Sequence, residues 1–376
     1  MKNKINYLEK YHEFLRKVSE DFDNYLLKEI EKREDRKILK RLYSKFLRFK
    51  LGIPHQRVGW IFIAAKVLEI DINKHYNELL KLSAVPEVLI WSEYAFNWVT
   101  DGKQNDSETK LEENVQLITS QYLLTEATHF LPSKMLKKYL DLYRWGIFGC
   151  LTVEEDLRIT NWKNISEWKV FWDKYSERHA IPDVGALYGY CFELVKDYFE
   201  IKIDEEKMKK IIHIGWEFGR DLQINGDISD FIIPNEKIHT TEKRPKKDYF
   251  IDIRTDRLTY PIWLLLKQTE KDNLKLHKEI IESAKNRKYE KGFFVKVYKY
   301  LKEKEIIKEV LEFNKNEKKR LFKEIDSLQI NNEGIKLWKA ALLFLVKNKF
   351  AKVLRLDYDL IQKNESKKKK FRNSRK

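Results

Sequence analysis

A helix written over residues 86–100 would be apolar on nearly every side. Val88, Leu89, Ile90, Trp91, Tyr94, Ala95, Phe96, Trp98 and Val99 cover most of its surface. Such a helix is stable only where other elements surround it. The stretch from Val58 to Ala65 is apolar nearly all round as well, so it too predicts a buried helix. The polar residues of the first stretch include Glu93, Asn97 and Asp101, at i, i+4 and i+8, which form one stripe. Burying a polar group costs about 1–3 kcal/mol unless it is satisfied. The stripe therefore lines a polar cavity, binds a metal or bonds to a neighbouring helix.

The rest of the chain favours helices around that interior. Its 376 residues include only 12 Gly and 7 Pro, and Lys, Glu, Leu and Ile dominate. Aromatics make up 13%, with 10 Trp, enough for a bulky core. The expected fold class is all-α, a single large bundle over residues 1–360. Two cysteines, Cys150 and Cys191, provide no disulfide framework, which suits a reducing, cytoplasmic location. No apolar run approaches the roughly 20 residues a membrane span needs, and the N-terminus has no apolar signal core. The net charge is +16, and the segment from Lys363 to Lys376 supplies +7 of it. The tail 361–376 is expected to be disordered, as a solubilising segment or an electrostatic contact to an anionic membrane or a nucleic acid.

Along the chain, residues 4–50 predict two or three amphipathic helices, with a break at Gly52–Pro54. Gly102 to Thr109 reads as a polar loop. Two helices over 112–150 part near Phe130–Ser133, with Ser133 placed as an N-cap. Trp162 to Lys174 predicts another helix. Asp183 to Cys191 opens a helix with small residues, where a second helix or a ligand can approach closely. A helix begins about Glu205, and the basic segment 232–249 follows it as a long loop, placed to serve as a phosphate lid. Residues 272–360 read as helices with Lys/Glu faces, and Trp338 to Val346 as a buried one.

The candidate chemistry lies at the end of the helix that starts near Glu205. Gln223, Asp227 and Asp230, at i, i+4 and i+7, share one face. Two carboxylates and an amide suit Mg²⁺, which takes one or two carboxylates together with substrate phosphates. The competing reading is a solvated helix face ending in a loop. No CxxC, HExxH, Walker A or GxSxG pattern offers other chemistry, and the eight histidines are scattered.

These residues resemble a family, the trans-prenyl diphosphate synthases and other class I isoprenoid (terpenoid) synthases. Leu222-Gln223 through Asp227 and Asp230 resembles the second aspartate motif, FQxxDDxxD, with Gly226 at its first acid. Asp252 to Pro261 resembles the following DLxxGKxTxP segment, with Arg257 at the lysine. Asn97 to Asp101 looks like the first aspartate motif with only its last acid. Asp183 to Leu187 looks like KTxxL without its lysine. Pro54 to Val58 looks like the basic GKRxRP motif with Arg57 kept. The RRG triplet after the first motif is not visible, although Lys103 and Lys110 lie nearby.

The resemblance implies a bundle around a central cavity in which Mg²⁺ and cationic side chains stabilise the pyrophosphate leaving an allylic prenyl diphosphate. It implies Asp227, Asp230, Asp101 and Asn97 as metal ligands, with the three acids catalytic. Arg257, Arg57 and Gln223 would hold diphosphate, and Trp91, Tyr94, Phe96 and Trp98 would contribute to the cavity wall. It also implies a homodimer, or a heterodimer with an active synthase. Three functions follow: a divergent synthase that cyclises or transfers a prenyl group, a non-catalytic or regulatory homologue, and a helical RNA-binding protein using its basic surface.

Overall fold

Helix formation follows the apolar periodicity. The computed structural model describes residues 2–46, 55–100, 110–231, 250–331 and 333–343, and every regular element among them is helical. The expected all-α class is what is found. The predicted loop at 102–109, the lid at 232–249 and the tail at 361–376 lie outside the described residues, as does Asp101.

The first helices are α1 (Lys2–Glu31), α2 (Arg36–Phe46), α3 (Gln56–Val67), α4 (Tyr76–Thr100), α5 (Lys110–Ala127) and α6 (Leu136–Glu155). As its composition requires, α3 is buried on all sides, only Gln56 and Lys66 being partly exposed. It packs against α1, α4 and α9 (Ala186–Tyr198). Trp60 of α3 stacks on Phe218 at 4.6 Å and donates its indole N–H to the Tyr188 carbonyl at 3.0 Å. Pro86 is accommodated inside α4.

Two sequence expectations are corrected. Ser133 opens a short 3₁₀ turn, Ser133–Met135, and makes no capping bond; α6 begins after it at Leu136. Residues 162–174 are not one helix. Two short helices, α7 (Trp162–Ile165) and α8 (Trp168–Trp172), lead into thirteen residues of π-helix, Asp173–Gly185. Pro182 lies inside that segment, where its missing N–H breaks the regular α-helical ladder.

The long helix α10 (Glu205–Ser229) is the spine. Asp204 caps it by accepting from Lys207 N at 2.8 Å, and Glu205 and Glu206 face its N-terminal dipole. Met208, Ile211, Ile214 and Phe218 join the core built on α1, α3, α4 and α9. Ile224 and Ile228 join a second core shared with α12 (Tyr260–Asp272), α13 (Leu274–Asn286), α14 (Phe293–Glu303) and the start of α15 (Ile306–Ser327). A final helix spans 333–343, with Trp338 fully buried.

The small residues read at 183–191 bring in a helix. Gly215 and Gly219 of α10 lie against Gly189 and Gly185, and a Cβ on Gly215 would stand 2.9 Å from the Gly189 Cα. Only glycine lets two backbones come this near.

Candidate functional site

The glycine contact sets where the C-terminal turns of α10 point. Asp227 is 4% exposed. Its Oδ1 accepts from Gln223 Nε2 at 3.0 Å, and its Oδ2 accepts a short bond from the Tyr175 hydroxyl of the π-helical segment. Burial, then the negative charge of Asp227, pushes the Tyr175 pKa well up, so the phenol stays a donor. Asp230 is the half-buried C-cap residue of α10, and its carbonyl accepts from Phe250 N at 3.3 Å. Gln223, Asp227 and Asp230 thus share one end of α10 as their spacing predicts.

Arg257 is positioned by a different set of contacts. The segment 252–261 folds against 154–160. Leu258 N donates to Leu157 O at 2.8 Å, and Asp256 accepts from Thr160 N at 3.0 Å and Thr160 Oγ1 at 2.8 Å. Arg257 Nη2 pairs with Glu154 Oε1 at 2.9 Å. Arg57 lies against two tyrosine rings. It is 9% exposed, its guanidinium lies 6.0 Å from the Tyr94 ring and 5.8 Å from the Tyr188 ring, and Nη1 donates to the Tyr94 hydroxyl at 3.3 Å. Of the cavity-wall aromatics, Trp91 is ordinary core, fully buried with its N–H on Glu87 Oε1 at 3.2 Å. The side chains of Asn97 and Trp98 lie outside what is described.

A small crevice of about 10 Å³ opens between α4 and α6. Ser92, Glu93 and Phe96 of α4, Tyr143, Gly146 and Cys150 of α6, and Asp183 line it. Of the predicted polar stripe, Glu93 therefore lines a cavity. Burial, then the like charge of Asp183, pushes its pKa up to about 8, against the opposing pull of Arg57. The Cys150 thiol donates to Asp183 Oδ1 at 3.5 Å. His179 is buried and its pKa is lowered, first by burial; its Nδ1 has no partner among the described residues. The Tyr175 and His179 rings are 5.9 Å apart.

Tyr175, His179 and Cys150 were missed from the sequence. The signal was there: Tyr175, His179 and Asp183 recur at i, i+4 and i+8, but Pro182 at the end of that pattern reads as a helix stop.

Glu93 carries a testable consequence. Its folded pKa is raised, so the stability it contributes is complete below about pH 4.5 and is lost as pH rises through about 8. Glu93→Gln should remove that slope and make the protein more resistant to urea at pH 8 than the parent, with little difference at pH 4.5. Parallel urea midpoints at both pH values measure this, and a less stable variant at pH 8 would contradict the burial argument.

The donor set at α10 fits Mg²⁺ in one manner only. Two carboxylates and an amide oxygen would supply only part of a Mg²⁺ coordination sphere, the rest coming from water and phosphate oxygens. Among the described residues no three acids, histidines or cysteines converge on a closed metal site.

No protein-family model matches the chain, and no curated protein matches it by sequence. Solved structures do. A polyprenyl synthase from Caulobacter crescentus, complexed with calcium and isoprenyl diphosphate, is similar with a TM-score of 0.69 at 12% identity, over 90% of this chain and 97% of that one. A decaprenyl diphosphate synthase from Rhodobacter capsulatus has a TM-score of 0.68 at 12% identity, over 91% and 99%. An octaprenyl pyrophosphate synthase from Helicobacter pylori has 0.60 at 17%, over 90% and 99%. At these identities what is shared is the fold, that of the all-α isoprenoid synthases.

Proposed function

We propose that the protein is a divergent class I isoprenoid synthase that binds an allylic prenyl diphosphate and releases pyrophosphate, by cyclisation or by prenyl transfer. The observation that carries this reading is the α10 face, where Gln223 is bonded to the buried Asp227 and Asp230 follows as the C-cap residue. A solvated surface face would have no reason to bury Asp227 to 4% exposure.

In this reading Asp227 and Asp230 would hold Mg²⁺, with Asp101 and Asn97 as the ligands that the resembled first motif implies. The metal, when bound, supplies charge stabilisation to the leaving diphosphate. Gln223 and Tyr175 orient the Asp227 carboxylate. Arg257, pinned by Glu154 and the 252–261 segment, offers the cationic contact to the diphosphate. The buried position of Arg57 between Tyr94 and Tyr188 argues for an acceptor other than isopentenyl diphosphate, since it is all that remains of the resembled second-substrate motif.

The second reading, a non-catalytic partner of an active synthase, is favoured by two specific features. Both oxygens of Asp227 already accept bonds from the chain itself, and an acid, Asp183, stands where the resembled motif has lysine.

Pyrophosphate release from geranyl, farnesyl and geranylgeranyl diphosphates separates the two. We expect Mg²⁺-dependent release that chelator abolishes, that does not require isopentenyl diphosphate, and that Asp227→Asn lowers by about 10²–10³-fold. The absence of release from every substrate by folded protein would leave the non-catalytic reading.

A further inference from the structure

A second cavity lies three turns towards the N-terminus of α10 from Asp227. It measures about 300 Å³ and is bounded by Lys138, Asp141, Leu142 and Trp145 of α6, by Ala186, Tyr190 and Glu193 of α9, and by Trp216 of α10. That volume is at the lower end of small-molecule sites. Trp216 precedes Asp227 by eleven residues, so about 16 Å of helix separates the two.

The cavity is built from regular elements, with the contacts from α6 spaced i, i+3, i+4 and i+7 and those from α9 at i, i+4 and i+7. Trp145 and Trp216 meet edge to face, ring centroids 5.1 Å apart at 76°. Two indoles at that angle form two adjoining walls of a box, and Tyr190 adds a third aromatic group. Tyr190 is 2% exposed, and its hydroxyl has no hydrogen-bond partner among the described residues.

The charges point the same way. On a chain of net charge +16, this cavity is lined by two carboxylates and one ammonium. The ammonium of Lys138 is engaged by Asp197 in a short ion pair and stands 3.9 Å from Glu193. Among the described residues Asp141 pairs with Arg144 at 3.2 Å, out in solvent. Glu193 is a half-buried carboxylate between Lys138 and the charge of Lys196, and burial outweighs both and raises its pKa. Aromatic faces attract a cation through their quadrupole, and a partly desolvated carboxylate does so through its charge.

We propose that this cavity is a binding site for an organic ammonium head group, held in the corner formed by the Trp145 and Trp216 rings with Glu193 as its counter-ion. The neutral alternative, an apolar groove that accepts any small hydrophobic body, makes a different prediction. A trimethylammonium group and its tert-butyl isostere have nearly the same shape and differ in charge.

The test uses the full-length protein and two probes, choline and 3,3-dimethylbutan-1-ol, with butylammonium as a primary-amine arm. Binding is read by saturation-transfer NMR and calorimetry at constant ionic strength. Choline or butylammonium should bind at least about 10-fold more tightly than the neutral alcohol, a difference of about 1.4 kcal/mol. Glu193→Gln and Trp145→Leu should each weaken the ammonium probe by about 5–10-fold, at unchanged far-ultraviolet circular dichroism. Glu193→Gln should leave the alcohol unaffected. Equal affinity for the alcohol and the ammonium probes would overturn the proposal in favour of an apolar groove. So would binding of neither ammonium probe at millimolar concentration, or binding that survives both substitutions in folded protein.

Discussion

Replacing His55 with alanine should destabilise the protein by about 3–5 kcal/mol, read as a lower urea midpoint at pH 6.5. His55 is fully buried just before α3, between the carboxylates of two other helices. Nε2 lies 2.8 Å from Asp23 Oδ1 of α1, and Nδ1 lies 2.9 Å from Glu87 Oε1 of α4. Its backbone N–H donates to Ser19 Oγ at 2.9 Å. Burial alone would lower its pKa, but Glu87 and Asp23 outweigh burial and raise it to about 9. The imidazolium is therefore the ionic pin of the α1–α3–α4 corner. Alanine would leave two buried carboxylates facing each other without a cation. Neutralising both, with Asp23→Asn and Glu87→Gln, should return part of the loss in the alanine background. If it returns none, packing and not uncompensated charge is the cause.

The same pin has a pH signature. A folded pKa above the unfolded value means that its contribution is fully present below about pH 6.5 and is lost as pH rises through about 9. The size of the shift corresponds to about 3 kcal/mol. His55→Gln should flatten that part of the stability profile. Glu93 acts in the same direction but between about pH 4.5 and 8, so the two variants assign the slope to its sources.

Gly219→Ala should cost at least about 3 kcal/mol and disturb the candidate site without touching it. A Cβ there would stand 2.7 Å from Gly185 N and 2.8 Å from Val184 O, and both obstacles are backbone. No rotamer change relieves that clash, so α10 has to move away from the 185–189 segment. Asp227 lies two turns further along the same helix, and its bond to Tyr175 spans the same interface. Thermal unfolding measures the first effect. The second appears as weaker binding of a non-ionising thiolodiphosphate analogue in whatever fraction remains folded. A variant with parental stability would show that the helices separate at no cost.

Much of this fold was legible in the amino-acid sequence. The apolar surfaces of 58–65 and 86–100 required buried helices, and α3 and the 82–92 part of α4 are buried. The start near Glu205 was marked by an acid cap and acids in the first turn. Gln223 and Asp227 were placed on one face by their spacing, and they are bonded to each other. These readings rest on local periodicity, which one stretch of chain carries by itself.

The site was legible only in part. Arg57, read as a diphosphate contact, is enclosed by Tyr94 and Tyr188, a consequence of where α9 packs. The π-helical run across Pro182 concealed the face that joins Tyr175, His179 and Asp183.

By itself, then, the sequence determined which segments are helical, which of them must be buried, and that acids collect at the end of one helix. Helix periodicity and the cost of exposing apolar surface are enough for that. Tertiary structure alone decided that Tyr175 bonds Asp227 across 52 residues, that Glu93 meets Asp183, and that two tryptophans close a corner three turns away along α10. Those pairings depend on how closely two backbones approach, and here the glycines of the 185–189 segment and α10 set that distance.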